Sequence, residues 1–131
     1  MKQLILFLLI LSILNANHIH WRGDYESALR DAKKQHKVIM VLLIKNNCQK
    51  CKNIVQNLFM NKDYIDLLNK NVVAVIVNSD NNHSFPLEMY WSNEYPTLFF
   101  VQSHNEVFLV KPLSHPTQKD IQNIILREFH L

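Results

Sequence analysis

The stretch Val38-Ile39-Met40-Val41-Leu42-Leu43-Ile44-Lys45-Asn46-Asn47-Cys48-Gln49-Lys50-Cys51 decides how this chain is read. Its first half is an unbroken apolar run, the pattern of a strand covered on both faces. Lys45-Asn46-Asn47 breaks the run. From Cys48 onward the apolar residues Cys51, Ile54, Val55, Leu58 and Phe59 recur at helical spacing. A strand-to-helix junction therefore holds both cysteines of the chain, as Cys-x-x-Cys. At such a junction the first sulfur falls at a helix N-terminus, where unpaired backbone N–H groups and the helix dipole favour thiolate over thiol. Cys51 follows one turn later, within reach of a disulfide. The pattern assigns Cys48 as the attacking, more exposed sulfur and Cys51 as the core-facing, resolving one. Lys45, Lys50 and Lys52 surround the pair and add to thiolate stabilisation, Lys50 from within the motif. The Cys48 thiol is expected to ionise below the free-cysteine range.

Two blander uses of the pair fit less well. A purely structural bridge at this spacing closes a very short loop and removes little unfolded-chain entropy. A metal site needs more ligands than two sulfurs. His18, His20, His83, His104 and His115 are candidates, but none has a paired ligand spacing. No metal is expected, and no cofactor beyond a redox-active Cys48–Cys51 disulfide.

Outward from this junction, Asp24 is placed to cap a first helix with Tyr25, Ala28, Leu29 and Ala32 on its apolar face, ending near His36. Asn61 to Asn69 continues the second helix or forms a short one of its own. Val72 to Val77 is a second apolar run and a second buried strand. A short helix is expected over Leu87 to Trp91. Thr97–Val101 and Val107–Val110 read as an antiparallel hairpin around Ser103-His104-Asn105, with Asn105 in the left-handed region. Thr117 with Asp120 resembles a capping box before Ile121, Ile124, Ile125 and Phe129. Two apolar strands joined through a helix imply a right-handed parallel crossover. The whole reads as an α/β protein, a mixed central sheet flanked by helices. Gly23 is the one glycine, so turns with positive φ are expected to fall on asparagine. Trp21, Tyr90, Trp91, Phe99, Phe100 and Phe108 have spacing that suits core and edge packing better than a binding groove.

The N-terminus reads differently. Lys2 precedes an apolar run from Leu4 to Leu14, broken only by Ser12, of about eleven residues; a bilayer span needs about 20. This is the pattern of a signal peptide at 1–16, cleaved after Ala16, with 17–131 as a single domain. An uncleaved membrane anchor is the alternative. The formal charge of +3 falls by one without Lys2, and the lysines are scattered, so neither nucleic acid nor an anionic membrane is an expected partner. Export would place the cysteines where disulfides form and persist.

Over residues 19 to 130 the chain resembles the thioredoxin superfamily. The resemblance rests on the strand Val38–Ile44 leading into Cys48-x-x-Cys51, the second strand ending near Asp80, and Tyr95-Pro96-Thr97 ahead of the hairpin. It is most similar to periplasmic thioredoxin-like proteins and to the C-terminal thioredoxin-like domain of the transmembrane disulfide reductase DsbD, through Ser27-Ala28-Leu29, Ala32-Lys33, Lys37-Val38, Cys51-Lys52 and Asp63-Tyr64. The resemblance implies a three-layer thioredoxin fold and a cis Pro96 beside the cysteines, with Tyr95 and Pro96 binding an extended substrate by strand addition. It implies a monomeric protein-disulfide oxidoreductase of the periplasm, a reductase or electron carrier for exported thiol and disulfide proteins, recharged by a membrane-embedded disulfide reductase. A non-enzymatic binding module of the same fold, a metal carrier or a chaperone, is the alternative. Departures from the family are Asn47 in place of tryptophan before the first cysteine, Leu42 in place of a buried acid, Ile76 in place of lysine, and missing glycines in the hairpin and after the last strand.

Overall fold

The computed structural model describes residues 18–81, 86 and 88–129; the expected leader at 1–16 lies outside the described residues. Helix α1 (Tyr25–Gln35) starts where the Asp24 carboxylate accepts the Ser27 amide at 3.2 Å. It stops at His36, whose left-handed backbone (φ 54°) turns its amide onto the last carbonyls. Strand β1 (Val38–Ile44) follows at once and buries its five central residues.

The chain then crosses over. Helix α2 (Gln49–Asn53) continues into one π-helical turn, Ile54–Leu58, and α3 (Lys62–Asn71) is a separate helix capped by Asn61. Strand β2 (Val72–Asn78) returns parallel to β1, with Val38 opposite Val72 and Ile44 opposite Asn78. Strand β3 (Thr97–Val101) lies antiparallel on the other side of β1, and β4 (Leu113–Ser114) borders β3. The order is β2-β1-β3-β4. Helix α4 (Gln118–Glu128) opens with the expected capping box of Thr117 and Asp120.

Alternation along the strands divides the interior into two layers. Met40, Leu42, Leu98 and Phe100 face α3 and α4 through Ile65, Leu68, Ile121, Ile124 and Ile125. Ile39, Val41, Leu43, Val75 and Phe99 face α1 and Tyr90. Sheet and covering helices on both faces make this the thioredoxin α/β fold. The site sits at the end of β1, the most central strand, where a packed scaffold fixes the loop.

Several sequence expectations need correcting. Residues 88–90 form a turn on Pro86 rather than a helix, and Leu87 is outside the described residues. The hairpin return is not a strand over Val107–Val110: a single bridge joins Phe108 to Val101, and the ladder resumes only at Leu113–Ser114. The left-handed residue in its turn is Glu106 (φ 56°), not Asn105, whose side chain instead accepts the Val107 amide. Among the described residues positive φ falls on His36, Asn47, Glu106 and His115, so asparagine supplies one of these four positions. Ile54, Val55 and Leu58 are half-buried rather than buried, because the π-helical turn widens the spacing that would have aimed them inward. Sequence reading also missed the segment at Arg22, which exchanges two 2.9 Å backbone hydrogen bonds with Ala74 and Ile76 and covers the open edge of β2. Of the aromatic residues, Tyr90, Phe99 and Phe100 are core, Trp21 packs edge-on to Phe59, and Phe108 lies against Phe99 while still 36% exposed; Trp91 is 74% exposed.

Glu106 is held by a buried chain of hydroxyls. Tyr90 and Tyr25 share a 2.6 Å hydrogen bond, and Tyr25 donates to the Glu106 carboxylate at 2.9 Å. Burial pushes the Tyr90 phenol up to about 12 and raises Tyr25 further; burial likewise lifts Tyr64, which donates to the Leu58 carbonyl, to about 12. A phenol whose pKa is raised by folding stabilises the fold fully below its unfolded pKa of about 10 and loses that contribution as pH climbs through the folded value. The urea midpoint should therefore fall between pH 10 and 12, and fall less in Tyr90→Phe, which has no hydroxyl to ionise. A midpoint that is flat over that interval would contradict the burial assigned to these phenols.

Candidate active site

Lys45, Asn46 and Asn47 carry the chain from β1 to the first cysteine, and hydrogen bonds hold Asn46. The Asn46 amide donates to the Asp80 carboxylate at 2.8 Å, while the Asn78 side-chain amide donates to Asn46 Oδ1 at 2.8 Å. The Ser79 amide donates to the Ile44 carbonyl at 2.9 Å, so the end of β2 clamps the end of β1. Asn47 takes the left-handed conformation (φ 53°), which a short polar side chain tolerates. Cys48 then sits as the N-cap of α2 in extended conformation.

Cys48 and Cys51 are joined by a disulfide, with Cα atoms 5.3 Å apart. Cys48 Sγ also accepts the Cys51 amide at 3.1 Å, one of the donors left unpaired by the start of the helix. Both cysteines are buried, Cys48 at 9% exposed as a residue and Cys51 at 4%. Both line a cleft of about 360 Å3 together with Lys45, Lys52, Gln56 and Asn78.

Tyr95 and Pro96 lie at the start of β3, where Thr97 pairs with Leu43 near the end of β1. The Tyr95–Pro96 peptide bond is cis and Pro96 is buried. Lys45 Nζ lies 5.0 Å from the centre of the Tyr95 ring, tying this turn to the cysteine loop. The Thr97 hydroxyl donates to the Glu94 carbonyl at 2.7 Å and holds the turn from below. The His115 amide donates to the Pro96 carbonyl at 3.1 Å. Lys50 is exposed and lines a second groove that includes Pro96 and His115. Leu42, where the family often has an acid, is fully buried among Phe59, Ile65 and Leu98.

The structure thus brings Cys48, Cys51, Lys50, Tyr95 and Pro96 to one end of the sheet. Sequence reading missed the clamp of Asn46, Asn78 and Asp80, and missed His115 as a site neighbour. The one hint at His115 in the sequence is its place after the last strand, where a glycine was expected; its positive φ is seen only in the structure. Among the described residues, no group of three or more His, Cys, Asp or Glu could hold a metal ion; His83 lies outside them.

A cysteine pair that closes a disulfide across the first turn of this helix, in this fold, carries thiol–disulfide oxidoreductase chemistry. The chain belongs to the thioredoxin-like family, whose model matches residues 20–103. Among solved structures it is similar to a thioredoxin from Thermus thermophilus, at 18% identity and a TM-score of 0.71 over 86% of this chain and 88% of that one. It is similar also to a putative disulphide-isomerase from Bacteroides thetaiotaomicron, at 23% identity and 0.68 over 86% and 97%. A thioredoxin from Trichomonas vaginalis matches at 21% identity and 0.60 over 87% and 99%. At these identities the likeness is one of fold. A comparison with curated proteins gave no match.

The place of Cys48 as the N-cap of α2 predicts an order of reaction. After reduction, limiting iodoacetamide should carboxamidomethylate Cys48 before Cys51, as read by peptide mass mapping over time. Equal labelling of the two, or Cys51 first, would overturn the assignment of the attacking sulfur.

Proposed function

We propose that the protein exchanges dithiol for disulfide with exported proteins, acting as a reductase or electron carrier. The observation that supports this best is the Cys48–Cys51 bridge at the start of α2, with the Cys51 amide on Cys48 Sγ. In the reduced protein that amide and the lysines at 45, 50 and 52 favour a Cys48 thiolate. The thiolate attacks one sulfur of a partner disulfide; the partner's S–S bond breaks, and its departing thiolate takes up a proton. Cys51 then loses its proton and attacks Cys48 Sγ, which releases the second partner thiol and leaves the Cys48–Cys51 disulfide. The protein is oxidised by two electrons and the partner reduced by two. With Leu42 beneath the site, the Cys51 proton leaves to water in the cleft that Cys51 lines. Tyr95 and Pro96 offer backbone to an extended partner segment, a strand addition at the start of β3.

Residues 1–16 serve in this reading as a cleaved signal peptide, which delivers the domain at 17–131 to an oxidising compartment. Among the described residues no helix is long and apolar enough to cross a membrane. A monomer in the periplasm, recharged by a membrane-embedded disulfide reductase like the partner of the DsbD C-terminal domain, fits the chain's small size and its likeness to thioredoxins.

Reductase work predicts an equilibrium reduction potential near about −270 mV by thiol trapping across a redox buffer series, against about −120 mV for a strong oxidant. Cys48→Ser should abolish disulfide exchange with a protein substrate while leaving the fold intact by circular dichroism. Full exchange in that variant would overturn Cys48 as the attacking sulfur, and no exchange by the unaltered protein would favour a binding module instead.

A further inference from the structure

Beyond the cleft that holds the cysteines, a second groove of about 280 Å3 opens between α2 with its π-helical turn and the loop that follows β4. Ile54, Leu58, Pro96 and Pro116 give it apolar walls, and Lys50, Asn57 and His115 stand among them. That volume is at or below the lower end for a small-molecule site, about 300 Å3, and suits one or two side chains of an extended segment.

Lys50 is the lysine of this groove, while Lys45 and Lys52 line the neighbouring cleft of the cysteines. Among the described residues, Lys45, Lys50 and Lys52 make no ion pair. Two carboxylates lie nearby: Asp80, which accepts the Asn46 amide at 2.8 Å, and Glu94, which faces His115 Nε2 at 3.8 Å. Arg22, away from the site, is paired with Asp31, so this chain does place carboxylates against cations where it needs them. The face around the disulfide carries Lys45, Lys50 and Lys52 against Asp80 and Glu94, a cationic excess beside an apolar slot.

We propose that this groove selects partner segments that carry a carboxylate and an apolar side chain beside the reacting cysteine, with Lys50 reading the charge. The inference rests on the exchange chemistry above and adds to it a preference among partners. His115 contributes a second positive charge only when protonated; Glu94, the carboxylate facing it, and Lys50 across the groove are the charged groups that bear on it.

The test uses reduced full-length protein and four peptides of one length, each with its cysteine in a mixed disulfide with 2-hydroxyethanethiol. Three have leucine two residues before the cysteine and Glu, Gln or Lys after it; the fourth pairs Asn with Glu. Exchange oxidises the protein dithiol to its disulfide and releases peptide thiol and 2-hydroxyethanethiol. Each rate is divided by that of dithiothreitol on the same peptide, which removes the peptide's intrinsic reactivity. At low salt the Glu peptide should react about three- to fivefold faster than the Lys peptide, the size of an exposed ion pair, and the ratio should shrink toward one at high salt. Exchanging leucine for asparagine should cost several-fold. Lys50→Gln should level the Glu and Lys peptides, and Lys50→Glu should invert them. If Lys50 acts only on the Cys48 thiolate, all peptides slow together and the ratio survives; that result overturns the inference, as would equal rates in the unaltered protein or indifference to the leucine. No exchange with any peptide, the uncharged one included, would sink the exchange reading and this inference with it, and is plainly distinct from a charge-blind protein.

Discussion

One hydrogen bond sets the arrangement on which the rest depends: the Cys51 amide donating to Cys48 Sγ at 3.1 Å. It exists only because β1 ends at Ile44 and α2 begins at Gln49, leaving Cys48 to serve as a cap where most helices use an oxygen. A sulfur in that place meets a backbone donor with no other intrahelical partner. The same geometry sets the Cα atoms of the pair 5.3 Å apart, inside disulfide range, so the sulfur that caps the helix also closes the bridge.

What holds that sulfur in place is the burial of β1. Ile39 to Leu43 are buried in succession, with residues facing both layers of the core. Slipping the strand by one residue would exchange its two faces, which the facing layers of Ile65, Leu68 and Ile121 on one side and Tyr25, Ala28 and Ala32 on the other do not accommodate. The helix start is therefore delivered at a fixed depth. The clamp from β2, through Asn46, Asn78 and Asp80, then fixes the direction in which the loop leaves the sheet. Packing energetics thus become site geometry, and site geometry the order in which the sulfurs meet a partner.

Legibility of the sequence followed the strength of local signals. The runs Val38–Ile44 and Val72–Val77 could be read to within a residue because a strand buried on both faces admits nothing but apolar side chains. Both long-helix caps, Asp24 and Thr117, were visible because a cap is a local side chain-to-backbone bond. The return from β3 was not, since two residues of β4 and one bridge at Phe108 carry too little pattern to separate strand from loop. Glu106 in a left-handed turn was hidden for a different reason: the tyrosine hydroxyls that hold its carboxylate come from residues 25 and 90, distant in sequence. At the site the cysteine pair was legible and its surroundings less so, because His115 reaches Pro96 only through tertiary pairing.

The most direct measurement concerns the order of attack by the two sulfurs. Reduced Cys51→Ser protein, mixed with a disulfide-bonded protein substrate and separated without reductant, should accumulate a covalent complex linked through Cys48, as located by mass spectrometry, while Cys48→Ser should accumulate none. A complex linked through Cys51, or none from either variant, would contradict the account.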